Sequence, residues 1–245
     1  MMEQSIRIYN NIKELADAFA GILIADINNL PEEEYFFMAL SGGSTPGRIF
    51  QHLATDFNEK INWQKIKLFW GDERCVGPEN EDSNYKMAKK NLLDSVPIPS
   101  TNIFRIKGEA DPETEALNYE AVVKQTLPSR SNTPQFNIIM LGLGDDGHTA
   151  SIFPENIELF ISDRLFLKSV NPYNKQIRIS ATGKLINYAK KVIFLVTGES
   201  KAEKIAQITH RKPGWEKLPA SLVQPVNGDL IWLLDIAAAK KLKND

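Results

Sequence analysis

Short apolar runs alternate with longer amphipathic stretches along this chain, and that alternation limits the fold more than any other feature. Runs of strand length fall at residues 5–9, 35–40, 67–71, 136–143, 166–170, 192–197 and 230–234. Helical periodicity predicts helices over 12–29, 47–58, 83–93, 112–127, 182–188, 200–208 and 236–242. Repeated strand–helix–strand order lays consecutive strands parallel, and a parallel sheet needs both faces covered. The expected fold is therefore α/β, a three-layer α/β/α arrangement around a mainly parallel open sheet, Rossmann-like, with room for a small appended lobe. With 245 residues, 42% of them hydrophobic, the chain can bury such a core. No internal repeat or Ser/Gly-rich linker divides it, and "LPSRSNTPQ" (127–135) reads as a loop. Residues 1–245 are expected to form a single domain.

Composition then narrows the partners. The formal net charge is −2 and the lysines are scattered, which gives no footprint for nucleic acid. No apolar run reaches bilayer length, so no membrane partner is expected, and the amino-terminal stretch lacks the apolar core of a secretory signal. Cys75 is the single cysteine, which excludes an intramolecular disulfide and fits a reducing, cytoplasmic setting. The composition suits a monomer or a dimer equally.

Three segments carry the chemistry. In "LSGGSTPG", Gly42 and Gly43 allow a tight turn with unshielded N–H groups, Ser44 or Thr45 can cap the following helix, and Pro46 suits its first turn. Such a turn between strand and helix favours a phosphate or carboxylate. It is neither a Walker A loop nor a dinucleotide fingerprint, and proline at 46 excludes a nucleophile elbow at Ser44. In "GDERCV", Asp72, Glu73 and Arg74 follow a predicted strand and together can bind a polyol and an anion; a solvated charged loop is the plainer reading. Cys75 has no neighbouring histidine and reads as packing. In "LGLGDDGHTASIFP", His148 stands in a glycine-rich loop beside Asp145 and Asp146, the setting of a general base whose tautomer a carboxylate fixes. His52 and His210 lack that setting. Arg178 and Lys201 each lie near a predicted strand and a glycine turn, where either can add positive charge to a bound phosphate. No histidine or cysteine spacing provides a metal site, so no metal is expected.

Taken together, "LSGGSTP", "GDERCV" with "DSNY", "LGLGDDGHTASIFP", "RISATG", "VTGESKA", "PASLVQP" and "WLLDIAAA" resemble the 6-phosphogluconolactonase family, within the wider group of sugar-phosphate isomerases and glucosamine-6-phosphate deaminases. The deaminase branch tends to follow its histidine with a sequence like "IAFNEP" and to carry tyrosine where Arg74 stands; "TASIFP" and Arg74 favour the lactonase. The resemblance implies hydrolysis of 6-phospho-D-glucono-1,5-lactone, a sugar-phosphate lactone, with no cofactor. It implies His148 as the base, with Gly42, Gly43, Ser44, Thr45, Lys201 and Arg178 as phosphate ligands. Asp72 and Arg74 become polar groups of the site. Either Asp145 or Asp146 orients the imidazole, and the catalytic set carried forward is His148, Asp146 and Asp72. Gly77 and Glu155 depart from the family pattern only beside the motifs. Two other readings stand next to this one: an amino-sugar-phosphate isomerase or deaminase, which ammonia release would reveal, and a sugar-phosphate sensor, which would have no need of His148.

Overall fold

The structure, a computed structural model, describes residues 4–242. Its main sheet is built from β1 (Gln4–Tyr9), β2 (Phe36–Leu40), β3 (Ile66–Trp70), β7 (Ile138–Leu141), β10 (Lys191–Val196) and β11 (Asp229–Asp235). They lie in the order β1-β11-β10-β7-β2-β3, and every pairing is parallel. β2 and β7 are buried throughout, as a central strand covered on both faces must be. A second, antiparallel sheet joins β4 (Asp72–Arg74), β9 (Ile177–Ala181) and β8 (Phe166–Val170) in the order β4-β9-β8, and a two-residue pair, β5 (Ser129–Arg130) and β6 (Thr133–Pro134), closes the 127–135 loop.

The helices are α1 (Ile12–Asn28), α2 (Ser44–Asp56), α3 (Asn84–Asn91), α4 (Pro112–Thr126), α5 (Gly183–Ile186) and α6 (Ala202–Thr209). Local chemistry explains their starts. Asn11 accepts the Glu14 N–H ahead of α1, and Asp111 accepts the Thr114 N–H ahead of α4, whose first residue is proline. On α1 the buried residues Leu15, Phe19, Leu23 and Ile27 recur every four residues, which turns one face to the core. Among the described residues no helix is long and apolar enough to cross a membrane.

Several expectations shift. Residues 166–170 form a strand, but in the antiparallel sheet, where they pair with β9. The helix expected over 182–188 contracts to α5. Residues 236–242 make successive turns and no helix; the segment is too short to nucleate alone, and Asp235 takes the Ala238 N–H at its start. The chain passes from one sheet to the other at Gly71, which donates to Leu40 and accepts from Ala181.

This topology also locates a crevice. From β2 the chain steps outward to β3, whereas β7, β10 and β11 progress the other way, so the order reverses between β2 and β7. Open α/β sheets bind ligands beyond the carboxyl ends of their strands at such a point.

Candidate active site

The loops leaving β2, β7 and β10 meet there with β4 and β9 around a cleft of about 270 Å³. Gly42, Gly43, Ser44, Thr45, Asp72, Arg74, His148, Arg178 and Lys201 all line it. Asp146 stands behind the imidazole of His148 and bonds to it.

The glycine-rich turn ends at Gly43, whose φ of +108° disfavours any side chain. Gly43 itself holds the N-cap position of α2, and no side chain caps the helix. Ser44 and Thr45, the expected caps, are instead the first two helical residues, and the helix begins three residues before the predicted start. The first N–H groups of a 13-residue helix therefore face the cleft without a side-chain acceptor, with the positive end of the dipole behind them. The Thr45 and Thr197 hydroxyls bond each other at 2.7 Å and tie this turn to the end of β10. Gly42 is required for a different reason. A Cβ there would lie 1.8 Å from Oδ1 of Asn84, a buried side chain whose amide donates to the Asp72 carbonyl at 2.9 Å.

The acidic segment divides its labour. Asp72, 5% exposed, accepts the Ser151 hydroxyl at 2.6 Å, and that hydroxyl oxygen accepts from Arg178 Nη1 at 3.3 Å. Glu73 is turned away from the cleft and does not serve the polyol or anion role open to it in sequence. Its carboxylate accepts the N–H groups of Arg74, Asn84 and Tyr85 and the Ser83 hydroxyl, which anchors the start of α3. Burial pushes its carboxyl above the ordinary value, against the pull of those N–H groups. Glu73→Gln would aim an amide donor at one pair of these donors. It is expected to cost about 2–3 kcal/mol, read as a lower urea midpoint with an unchanged slope. Cys75 is half-buried, and its thiol is pushed up to about 11 by burial and then by the Glu73 charge, so it is a poor nucleophile at neutral pH.

Arg74 and Arg178 sit directly opposite each other in the β4–β9 register. Like charges so placed repel, and the Nε atoms of both are buried without a partner among the described residues. An oxyanion in the cleft would offset the repulsion.

The loop after β7 is drawn tight around His148. Gly144 admits the ring closely, since a Cβ there would fall 2.0 Å from His148 Nδ1, and Gly147 turns at φ +90° under Leu218. Ala150, on the cleft wall, is held at φ +48°, an uncommon conformation for a residue with a side chain. Asp146 Oδ1 bonds His148 Nδ1 at 2.6 Å and accepts the His148 N–H at 3.0 Å. Burial would raise the Asp146 carboxyl, but the bonds and charge of His148 and a bond from Tyr173 outweigh it and hold the group well below the usual carboxylate range. An ionised carboxylate only accepts, so Nδ1 carries a proton, and in the neutral ring Nε2 is the acceptor. Asp145 also lines the cleft, where it pairs with Lys201 at 2.6 Å and not with the imidazole. Of the two aspartates, Asp146 is the one that bonds the imidazole. His52 lies apart, largely buried between Asp17 of α1 and Asp56 of α2.

The sequence model of the family described as glucosamine-6-phosphate isomerases/6-phosphogluconolactonase matches residues 10–232. The chain belongs to this family. The 6-phosphogluconolactonase of Haemophilus influenzae is 41% identical over 206 residues, which cover 84% of this chain and 87% of that protein. Probable 6-phosphogluconolactonase 1 of Arabidopsis thaliana is 36% identical over 251 residues, covering 97% and 93%. The crystal structure of 6-phosphogluconolactonase from Leishmania guyanensis superposes with a TM-score of 0.85 at 27% identity over 98% of both chains. This member of the glucosamine-6-phosphate isomerase/6-phosphogluconolactonase family also places at the site three residues to which the sequence assigns no role: Ser151, Thr197 and Tyr173. Ser151 and Thr197 fall inside motifs, whereas Tyr173 reaches Asp146 from a turn distant in sequence.

Proposed function

We propose that this chain is a 6-phosphogluconolactonase, hydrolysing 6-phospho-D-glucono-1,5-lactone to 6-phospho-D-gluconate in the oxidative pentose phosphate pathway, with His148 as general base. The observation that carries the reading is one cleft holding both an oriented Asp146–His148 pair and an open helix N-terminus flanked by Lys201, Arg74 and Arg178. A base without an anion grip, or the reverse, would not separate this substrate from other esters. A cytoplasmic location and a single domain over 1–245 belong to the same proposal; a continuous hydrophobic core drawing on residues from Leu15 to Ala239 supports the second.

A lactone is an activated ester, so a positioned water and a base suffice. Nε2 of His148 takes a proton from water as its oxygen bonds to C1. The tetrahedral intermediate then collapses, the C1–ring oxygen bond breaks, and the imidazolium returns the proton to that oxygen. Backbone N–H groups of the glycine-rich loops supply donors for the oxyanion. The phosphate lies on the turn at Gly42, Gly43, Ser44 and Thr45, with Lys201 and Arg178 as counter-charges, far enough from C1 to orient the ring without taking part in bond making. Asp72, held by Ser151, and Arg74 contact the polar remainder of the sugar phosphate.

The test is acceleration of lactone loss over the spontaneous rate, with 6-phosphogluconate followed through a coupled dehydrogenase. No acceleration, together with ammonia release from glucosamine 6-phosphate, would transfer the chain to the deaminase branch. Lys201→Ala is expected to raise KM roughly tenfold or more, as loss of a charge-assisted contact does, with kcat within about twofold.

A further inference from the structure

Tyr173 lies in the 171–176 turn between β8 and β9, 25 residues beyond the base, and two-thirds of it is exposed to solvent. An exposed tyrosine ordinarily points its hydroxyl at water. This one donates to Asp146 Oδ2 at 2.9 Å, while the ring meets Phe153 edge-on at 6.5 Å. Phe153 in turn lies against the His148 ring, with centroids 4.6 Å apart. The turn is built to hold that placement. Buried Asn171 accepts the Tyr173 N–H on Oδ1 at 2.9 Å, accepts the Lys175 N–H on its carbonyl, and donates its own N–H to Gln176.

Asp146 has two carboxylate oxygens. Oδ1 is engaged by the ring and backbone of His148, and Oδ2 receives the phenol. We infer that Tyr173 is a positioning residue for the Asp146–His148 pair, holding the carboxylate toward Nδ1 and moderating its pull on the imidazole proton. The phenol is pushed up to about 12, first by its bond to Asp146, so it stays a donor through the working pH range. Other charged groups around the pair are Asp145 on the same loop with its partner Lys201, Glu155 near the phenol, and Arg178, which stacks over Phe153 at 5.7 Å. Tyr173→Phe changes none of them.

The inference rests on His148 being the base, and the experiment separates the two. Tyr173→Phe keeps the ring and removes the donor. With one donor fewer, the carboxylate stabilises the imidazolium more strongly. The His148 Cε1–H resonance, followed by proton NMR, is therefore expected to titrate roughly half a pH unit higher in the variant than in the wild type. In lactone hydrolysis kcat falls about threefold to tenfold at unchanged KM, and the acidic limb of kcat/KM moves upward by the same interval as the resonance. Tyr173→Ala should give the same titration midpoint as Tyr173→Phe. Superimposable titrations of wild type and Tyr173→Phe overturn the inference, whatever the activity, as does a shift confined to Tyr173→Ala, which would assign the effect to packing. A shifted titration in a protein that hydrolyses no lactone supports the positioning role and rejects the hydrolytic one.

Discussion

His148→Ala is expected to lower kcat for lactone hydrolysis by about a hundredfold to ten-thousandfold, with KM changed by less than about threefold. The asymmetry follows from where the side chain stands. Its ring is fixed by Asp146 behind and Phe153 beside it, and it presents Nε2 to the cleft. The groups assigned to the phosphate belong to the α2 turn, β9 and the segment before α6, and none of them is bonded to the imidazole. Removal of the ring therefore deletes proton transfer and leaves the grip. Initial rates at several lactone concentrations, corrected for spontaneous hydrolysis, give both constants. Full turnover in a folded His148→Ala protein would end the general-base role, and a large rise in KM at constant kcat would make His148 a binding group.

Gly42→Ala is the second large effect, and it acts through sterics. The added methyl would overlap Asn84 Oδ1, so either the turn moves or the buried amide rotates and loses its bond to the Asp72 carbonyl. Overpacking combined with a broken hydrogen bond is expected to cost about 2–4 kcal/mol, measured from the urea midpoint. Because the displaced elements are the turn assigned to the phosphate and the strand carrying Asp72 and Arg74, KM should rise as well. Asn84→Ala removes the obstacle, so the double variant should be less destabilised than the sum of the two single changes. Strict additivity would mean that the two residues do not collide as described.

Much of this was legible from sequence because the relevant information is local. Apolar runs such as 136–143 and 192–197 mark buried strands, and the loops after them fall at one edge once the strands run parallel. That is why "SGGSTPG", "GDERCV" and "GDDGH" converge. The antiparallel sheet was not legible. β4 is three polar residues long with no alternation to read, and β9 pairs with it across about a hundred residues, so the facing of Arg74 by Arg178 exists only in the register. The helix start at Gly43 was missed because Ser44 and Thr45 have good capping side chains, yet the positive φ of Gly43 places the turn one residue earlier. Tyr173 gave no signal, since nothing in "NPYNKQ" refers to an aspartate in another loop. Between Asp145 and Asp146, adjacent and chemically alike, only the path of the backbone decides which meets the ring.

The pairing of Lys201 with Asp145 changes what substrate affinity measures. The ammonium holds an anion of the chain's own, on a carboxylate that is itself largely solvent-exposed. On the proposed reading, arrival of the phosphate is an exchange of one partner for another, and the free energy gained is the difference between two ion pairs. Added salt weakens both sides of that exchange, so the lysine's share of affinity depends less on ionic strength than an unpaired cation's would. The same arrangement works in reverse after ring opening. Asp145 waits beside the lysine as the competitor that takes it back, which favours turnover over retention of a product more highly charged than the lactone.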